Sequence, residues 1–247
     1  MYIKQTNSTN TWLKEHPNCD VVWTSWQTAG RGQAGNSWES EAGKNVLFSM
    51  RLSKPQVAVD KQFALTMTVS LAVRKVVQKL LPNENVTIKW PNDIYVGDKK
   101  ICGILIESRI KEKTVEEAIV GVGLNVNQTE WHNGAPNPTS VKLVKNVETD
   151  IEQVSKDLEL SLRESLSLLE KAEELKKQYL AALYRFGQKA LYAEREVSLM
   201  PSKILTGNQT DAFEAVIVDV TEQGELLLKI GDGTKKYHFK EIQFILL

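Results

Sequence analysis

Residues 86–122 carry four β-rich runs in close succession: Val86–Trp90, Ile94–Val96, Ile101–Ile106 and Ala118–Val122. One helix precedes them. Over about residues 60–81 the apolar positions Leu65, Val69, Ala72, Val73, Val76 and Leu80 recur at helical spacing, and Leu81-Pro82 ends the run. Several consecutive strands against one earlier helix predict an α+β layer structure, a mixed β-sheet with helices. Two more β-rich runs, Asp20–Trp26 and Val46–Leu52, flank a glycine-punctuated loop from Ala29 to Lys44. So long an irregular segment is more often functional than idle.

Downstream, the polar stretch Gln128–Val141 reads as a second loop. A long helical region then begins at Asp150. Asp150 and Gln153 have the form of a capping box, and Leu158, Leu162, Leu166 and Leu169 form an apolar stripe, with a break near Lys171 and an end near Tyr184. After Gly187 the pattern turns to short strands at Glu196–Leu199, Phe213–Val220, Leu226–Ile230 and Tyr237–Phe239, with turns at Gly224 and Gly231-Asp232-Gly233. The expected organisation is a domain of residues 1–186 and a small all-β domain of residues 187–247.

Composition narrows the class. Lys plus Arg number 31 and Asp plus Glu number 31, so no net charge draws the whole chain to nucleic acid or an anionic membrane. The opening residues Met1-Tyr2-Ile3-Lys4-Gln5-Thr6 carry no apolar run, and no stretch approaches the roughly 20 apolar residues of a membrane span. Cys19 and Cys102 lie far apart and read as reduced thiols. A cytoplasmic chain without nucleic-acid or membrane partners is expected.

Three clusters carry the chemistry. In Gly30-Arg31-Gly32-Gln33-Ala34-Gly35, the glycines let backbone N–H groups approach an anion, and Arg31 adds a permanent charge with a planar fork. Asn36-Ser37-Trp38 does not open a helix, which excludes a dinucleotide fingerprint. A structural loop remains the alternative on this string alone. In Lys89-Trp90-Pro91-Asn92-Asp93, Pro91 holds Trp90 extended. Gly97-Asp98 then forms a two-residue hairpin turn, which sets Val96 opposite Lys99, Tyr95 opposite Lys100 and Asp93 opposite Cys102. Asp93, Tyr95, Lys100 and Cys102 would share one face, with Asp93 and Lys100 on a diagonal of roughly 7–8 Å at Cβ. A surface ion pair is the bland alternative. In Gly121-Val122-Gly123, a glycine at every second place bares one strand face for a flat ligand or for tight packing. Near the start, Thr9 or Asn10 reads on its own as a helix N-cap before Trp12 and Leu13.

Together these strings resemble the biotin protein ligase family, in order: Ser8-Thr9-Asn10, Gln27-Thr28-Ala29-Gly30-Arg31-Gly32, Lys89-Trp90-Pro91-Asn92-Asp93, Lys100-Ile101-Cys102-Gly103-Ile104-Leu105-Ile106-Glu107 and Gly121-Val122-Gly123-Leu124-Asn125. The resemblance implies a catalytic domain like that of class II synthetases and biotin–lipoate ligases. The tail resembles, by pattern, the family's small C-terminal β-barrel. The implied activity is ATP-dependent activation of biotin to biotinyl-5'-AMP, with transfer to a lysine of a biotin carboxyl carrier protein such as that of acetyl-CoA carboxylase. The implied substrates and cofactor are biotin, ATP and Mg2+, and the implied state is a monomer or homodimer.

The resemblance also assigns residues. Ser8, Thr9, Asn10 and Gln27 would bind the ureido end of biotin. Gly103, Leu105, Gly121 and Gly123 would line the slot around its ring and tail. Gly30, Arg31 and Lys100 would hold biotin, its carboxylate and the phosphates, and Arg31, Lys100 and Asp93 would be the catalytic set. Gly32, Gln33, Trp38, Lys89, Asn92 and Asn125 would meet the nucleotide, with Trp38 by the adenine and Asn92 and Asn125 facing the triphosphate or its magnesium. No side chain is assigned as a firm metal ligand. Many relatives carry Arg-Arg after the second loop glycine; Gln33-Ala34 stands here, which leaves less loop charge to retain the adenylate.

The chemistry agrees with this residue set. Carboxylate attack on the α-phosphorus of ATP brings anion against anion, so the site must supply positive charge. No covalent enzyme intermediate is needed, and His16, His132 and His238 are scattered. Asp93 would guide the incoming carrier lysine. A lipoate or octanoate ligase would gain nothing from a polar head pocket at Ser8, Thr9 and Gln27. A biotin-sensing regulator would need a DNA-binding domain ahead of Ser8, and a nucleic-acid barrel a basic-aromatic stripe in the tail. The loops at about 30–38 and 127–140 have few apolar anchors and are expected to close over the adenylate.

Overall fold

The structure is a computed structural model that describes residues 1–132, 137–195 and 212–246. Its first sheet has six strands: β1 (Val21–Thr24), β2 (Val46–Ser53), β3 (Val86–Lys89), β4 (Asp93–Val96), β5 (Lys99–Lys111) and β6 (Thr114–Leu124). They lie in the order β1-β2-β6-β5-β4-β3. Every ladder in this sheet is antiparallel. The parallel component is confined to isolated bridges such as Tyr2–Trp23, Thr6–Gln27 and Lys100–Pro138.

Alternation along the strands divides the two faces. Val46, Phe48, Met50 and Leu52 of β2 and Val120, Val122 and Leu124 of β6 enter the main core. Against that face packs α2 (Phe63–Leu80), which buries Leu65, Val69, Ala72, Val73 and Val76 as the 3.6-residue spacing predicts. The expected first turn, near residue 60, is a short 3-10 turn at Val59–Lys61. Beyond a short α3 (Val141–Lys145), helices α4 (Ile151–Ser165) and α5 (Ala172–Ala182) complete the layer, with a 3-10 segment at Leu166–Glu170 where the break was expected. Asp150 caps α4 by accepting from the backbone N–H groups of Glu152 and Gln153. The reciprocal half of the capping box is absent, because the Gln153 amide donates to Asp157 instead.

The opposite face of the sheet carries Leu47, Ser49 and Arg51 of β2. It meets α1 (Thr9–Glu15) through the small cluster of Leu13, Val22 and Ile119. Arg51 is 7% exposed and anchors the end of α1. It donates to the carbonyls of Leu13 and Cys19 and pairs with Glu117. The N-cap of α1 is Ser8, without a side-chain cap bond, so Thr9 and Asn10 lie inside the helix with their side chains free for other work.

The hairpin between β4 and β5 departs from the expected register. Tyr95 faces Lys100, but Ile94 rather than Asp93 faces Cys102, because Ile101 is an extra residue in β5. A bulge of this kind places two residues opposite one and turns the following side chains over. Ile101 and Cys102 are therefore both buried, and Cys102 leaves the face assigned to Asp93 and Lys100.

The second sheet comprises β7 (Lys189–Glu194), β8 (Ala212–Val220), β9 (Leu226–Ile230), β10 (Gly233–Tyr237) and β11 (Ile242–Phe244), in the order β10-β9-β8-β7-β11. Among the described residues no ladder joins β10 to β11, so the expected barrel stands as a five-stranded antiparallel sheet. The strand expected at Glu196–Leu199 lies outside the described residues. That expected at Tyr237–Phe239 ends at Tyr237, and the chain beyond it swings Phe239 toward the first sheet. One apolar core runs through both sheets. Trp90 Nε1 donates to the carbonyl of Gly224 at 3.0 Å, and the Tyr179 hydroxyl donates to that of Pro91 at 2.6 Å. Among the described residues no helix is long and apolar enough to cross a membrane.

A glycine-floored cavity as the candidate active site

The pairing of β2, β6 and β5 builds a flat floor on the α1 face. Gly123 lies between Leu47 and Gly103, and Gly121 between Ser49 and Leu105. A cavity opens over this floor. Ser8, Thr9, Asn10 and Gln27 wall one end, and Arg31, Lys89, Asn92, Asp93 and Lys100 line the rest. Gly32, Gln33 and Trp38 border it from the loop, and Phe239 reaches it from the second sheet. The expected site residues thus converge from separate elements, with two exceptions.

Gly30 does not line the cavity. Its bare Cα lets the backbone of Trp38 approach, and an added Cβ would lie 2.6 Å from the Trp38 carbonyl. Asn125, expected at the triphosphate, is buried away from the cavity; its Nδ2 donates to the Thr139 carbonyl at 3.0 Å. That bond ties the start of the second loop to its end.

At the polar end, Gln27 Oε1 accepts from the Thr9 backbone N–H at 2.7 Å and lies 2.9 Å from Thr9 Oγ1. Asn10 Nδ2 donates to Glu107 Oε2 at 2.8 Å. Glu107 also receives Lys14 at 2.7 Å and Arg31 at 2.9 Å. Burial works to raise the Glu107 carboxyl, but the bonds from Lys14 and Asn10 and the charges of Arg31 and Lys14 outweigh it and hold it below the ordinary range. The loop cation thus rests on this carboxylate.

At the other end, Lys100 Nζ lies 2.8 Å from Asp93 Oδ2, with the two side chains 24% and 26% exposed. This is a half-buried pair on a cavity wall, which sets aside the surface alternative. Lys89 is more deeply placed. Its ammonium sits 4.8 Å from the centre of the Phe244 ring and 5.4 Å from that of Tyr95. Burial, above all, lowers its pKa; Asp93 pulls the other way, and Lys100, Arg195 and Arg185 reinforce the lowering. Two cavity-lining cations, Lys89 and Lys100, with one carboxylate between them make this end a receptor for anions.

Trp38 stands elsewhere than expected. Its ring lies on the glycine floor, where a Cβ on Gly103 or Gly123 would come within 2.7 or 2.5 Å of it. The third glycine makes room for Asn10, whose Oδ1 would lie 2.5 Å from a Cβ on Gly121. The glycines therefore accommodate the protein's own side chains in this structure. The indole Nε1–H is buried without a partner, and the remaining free volume is about 160 Å³. Ligand pockets usually measure about 300–1,000 Å³, so a ligand on this floor must displace the ring.

Both loops are better anchored than their composition suggests. The first is a closed turn, with a bridge between Arg31 and Ser37 and the Trp38 N–H donating to the Gly30 carbonyl at 2.9 Å. In the second, Gln128, Thr139 and Ser140 are buried, and the Lys100 N–H donates to the Asn137 carbonyl at 2.7 Å. A bond of 2.7 Å from the His132 N–H to Glu39 joins the two loops. Sequence reasoning missed Ser49 and Phe239, and quoted Glu107 without a role. The signal for Ser49 was available: a hydroxyl inside the apolar run of β2, on the same face as Leu47 and Arg51.

An apolar floor between a fixed hydrogen-bonding pocket and a cationic end defines a site for a small acid with a polar head, an apolar tail and a phosphorylated partner. The chain belongs to the biotin/lipoate A/B protein ligase family, whose model matches residues 2–125. It is 27% identical to the bifunctional ligase/repressor BirA of Bacillus subtilis over 92% of this chain and 66% of that protein. It is 29% identical to the biotin–[acetyl-CoA-carboxylase] ligase of Mycobacterium tuberculosis over 94% of this chain and 84% of that one. The chain spans about half to two thirds of the length of the BirA relatives it matches. In fold it is similar to the biotin protein ligase of Aquifex aeolicus in complex with biotin and ATP, with a TM-score of 0.75, 23% identity and coverage of 98% and 97% of the two chains.

Proposed function

We propose that the chain is a biotin protein ligase, which converts biotin and ATP to biotinyl-5'-AMP and then passes the biotinyl group to a lysine of a biotin carboxyl carrier protein in the cytoplasm. The observation that carries this reading is the floor formed by Gly103, Gly121 and Gly123, which leads from the Thr9–Gln27 pair to Lys100 and Arg31. Ser8, Thr9, Asn10 and Gln27 hold the ureido head. Leu105 and the three glycines hold the rings and tail once Trp38 has left the floor. Trp38 then covers the adenine.

In the first step the biotin carboxylate attacks the α-phosphorus, an anhydride bond forms and pyrophosphate leaves. Lys100 releases Asp93 for the carboxylate, Arg31 releases Glu107 for the phosphate, and the N–H of Gln33 adds a donor. Lys89 faces the departing phosphates. Preorganised charge of this kind commonly contributes more to such catalysis than any other single effect. Magnesium bound with ATP would neutralise phosphate charge. Among the described residues no cluster of His, Cys, Asp and Glu forms a cage for it, and the Asn92 carboxamide on the cavity wall would stand beside it.

In the second step Asp93, freed from Lys100, pairs with the ammonium of the carrier lysine and guides it in; once the amine has lost its proton to water it attacks the acyl carbon, an amide bond forms, the anhydride C–O bond breaks and AMP leaves. Residues 1–186 hold the chemistry, and residues 187–247 form a small domain that supplies Phe239 at the cavity. The test is pyrophosphate release, which should require biotin, ATP and magnesium together, followed by labelling of one lysine on a carrier domain. Equal turnover with lipoate would instead favour the lipoate branch of the family.

A further inference from the structure

The turn Trp90-Pro91-Asn92 joins β3 to β4, and Lys89 and Asp93 at its two ends face each other across the ladder. Each turn residue is tied to a different element. Trp90 Nε1 donates to the Gly224 carbonyl of the second sheet at 3.0 Å. Asn92 Nδ2 donates to the Ile104 carbonyl of β5 at 2.5 Å. The Pro91 carbonyl accepts from the Tyr179 hydroxyl of α5 at 2.6 Å. Of these ties, the first two hold side chains and the third holds the backbone of the turn.

Tyr179 is fully buried, and its ring stands edge-on to Phe63 with the centroids 5.7 Å apart. A phenylalanine would fill that place as well. Tyrosine adds a donor, and a buried hydroxyl costs stability unless it finds a partner. Gly224 packs on the same Phe63 ring, which leaves no room for a Cβ there. Phe63 therefore backs two of the three ties. The Pro91 carbonyl shares a peptide plane with the N–H of Asn92, so its direction sets how the chain enters β4. Asp93 is the first residue of that strand, and its carboxylate reaches Lys100 at 2.8 Å.

We propose that Tyr179 is a positioning residue for Asp93 in the transfer step. Its hydroxyl fixes the Pro91–Asn92 peptide and, through it, the line on which the carboxylate meets an incoming amine. Tyr179 does not line the cavity, so it acts only through the turn. The inference rests on the ligase reading, in which Asp93 guides the carrier lysine. Without the hydroxyl Asn92 keeps its own tie to Ile104, so adenylate formation is spared.

The test uses the full chain and times the two steps apart: formation of biotinyl-5'-AMP, and single-turnover transfer from preformed biotinyl-5'-AMP to a biotin carboxyl carrier domain. Tyr179→Phe should slow transfer about tenfold, the loss of one net hydrogen bond, with adenylate formation within about twofold. In an Asp93→Asn background the same substitution should cost almost nothing, because losses that act through one group do not add. p-Aminophenylalanine at position 179 supplies a weaker donor and should fall between. A lower melting temperature with unchanged transfer, equal losses in both steps, or a cost that persists in full in Asp93→Asn overturns the proposal. Should Tyr179→Phe not fold, the p-aminophenylalanine protein decides: transfer should slow about threefold, and only where Asp93 is intact, whereas an unaltered rate overturns the proposal. A wild-type protein that forms no biotinyl-5'-AMP overturns the function instead, and is identified before any variant is made.

Discussion

Lys100 Nζ and Asp93 Oδ2 stand 2.8 Å apart across the bulge at Ile101, each side chain about a quarter exposed. In the proposed mechanism each member takes a different partner in each half of the reaction. Lys100→Ala should cut adenylate formation by about two to three orders of magnitude, the usual cost of losing one contact to a developing anion. Arg31→Ala should do likewise. Both residues line the cavity, so calorimetric melting temperatures should change little. Asp93→Asn should spare adenylate formation and slow transfer to the carrier.

Trp38 covers the floor proposed for biotin. Entry then depends on a prior exit, and the observed rate of association should level off as biotin concentration rises. Stopped-flow tryptophan fluorescence reads this directly. Trp38→Ala should remove the plateau, bind biotin faster and release the adenylate faster. A rate that rises linearly with biotin in the wild type would show that the ring does not gate the slot.

Lys89 trades stability for function. Burial lowers its pKa in the fold below the ordinary lysine value of about 10.4. The charged form is thus disfavoured by folding, at a cost present below the folded pKa and gone above the unfolded one. Lys89→Met, with its thioether between the Tyr95 and Phe244 rings, should melt about 2–4 °C higher at pH 7. The advantage should shrink as pH approaches about 10, and the KM for ATP should rise.

Glu107 has the opposite consequence in acid. Its pKa is depressed in the fold, so its contribution is complete above the unfolded value of about 4.3 and is lost as pH falls through the folded one. Glu107→Gln should therefore be less stable than wild type at pH 7. The two should converge in melts taken well below about pH 4. The KM for biotin should also rise, since Asn10 and Arg31 both lose their charged partner.

The periodic elements were legible in the chain. The α2 stripe and the apolar alternation of β2 and β6 dictate what they bury whatever surrounds them. The bulge at Ile101 was not, because an extrapolated hairpin register assumes regular pairing. Nor was β7, where Lys189-Ala190-Leu191-Tyr192-Ala193-Glu194 has the composition of a helix, and the buried Tyr192, packed on Phe244, decides for a strand. At the site, ordered motifs identified most of the cavity wall. Glycines 103, 121 and 123 announced room but not its occupants, which are Trp38 and Asn10. Asn125 was assigned by its neighbours in the string, whereas its orientation follows from the Thr139 carbonyl across the loop.

The most direct test is a mass spectrum of the protein incubated with biotin, ATP and magnesium. The account predicts biotinyl-5'-AMP, formed only when all three are present and lost in Lys100→Ala. No adenylate from biotin, or one formed equally well from lipoate, would contradict it.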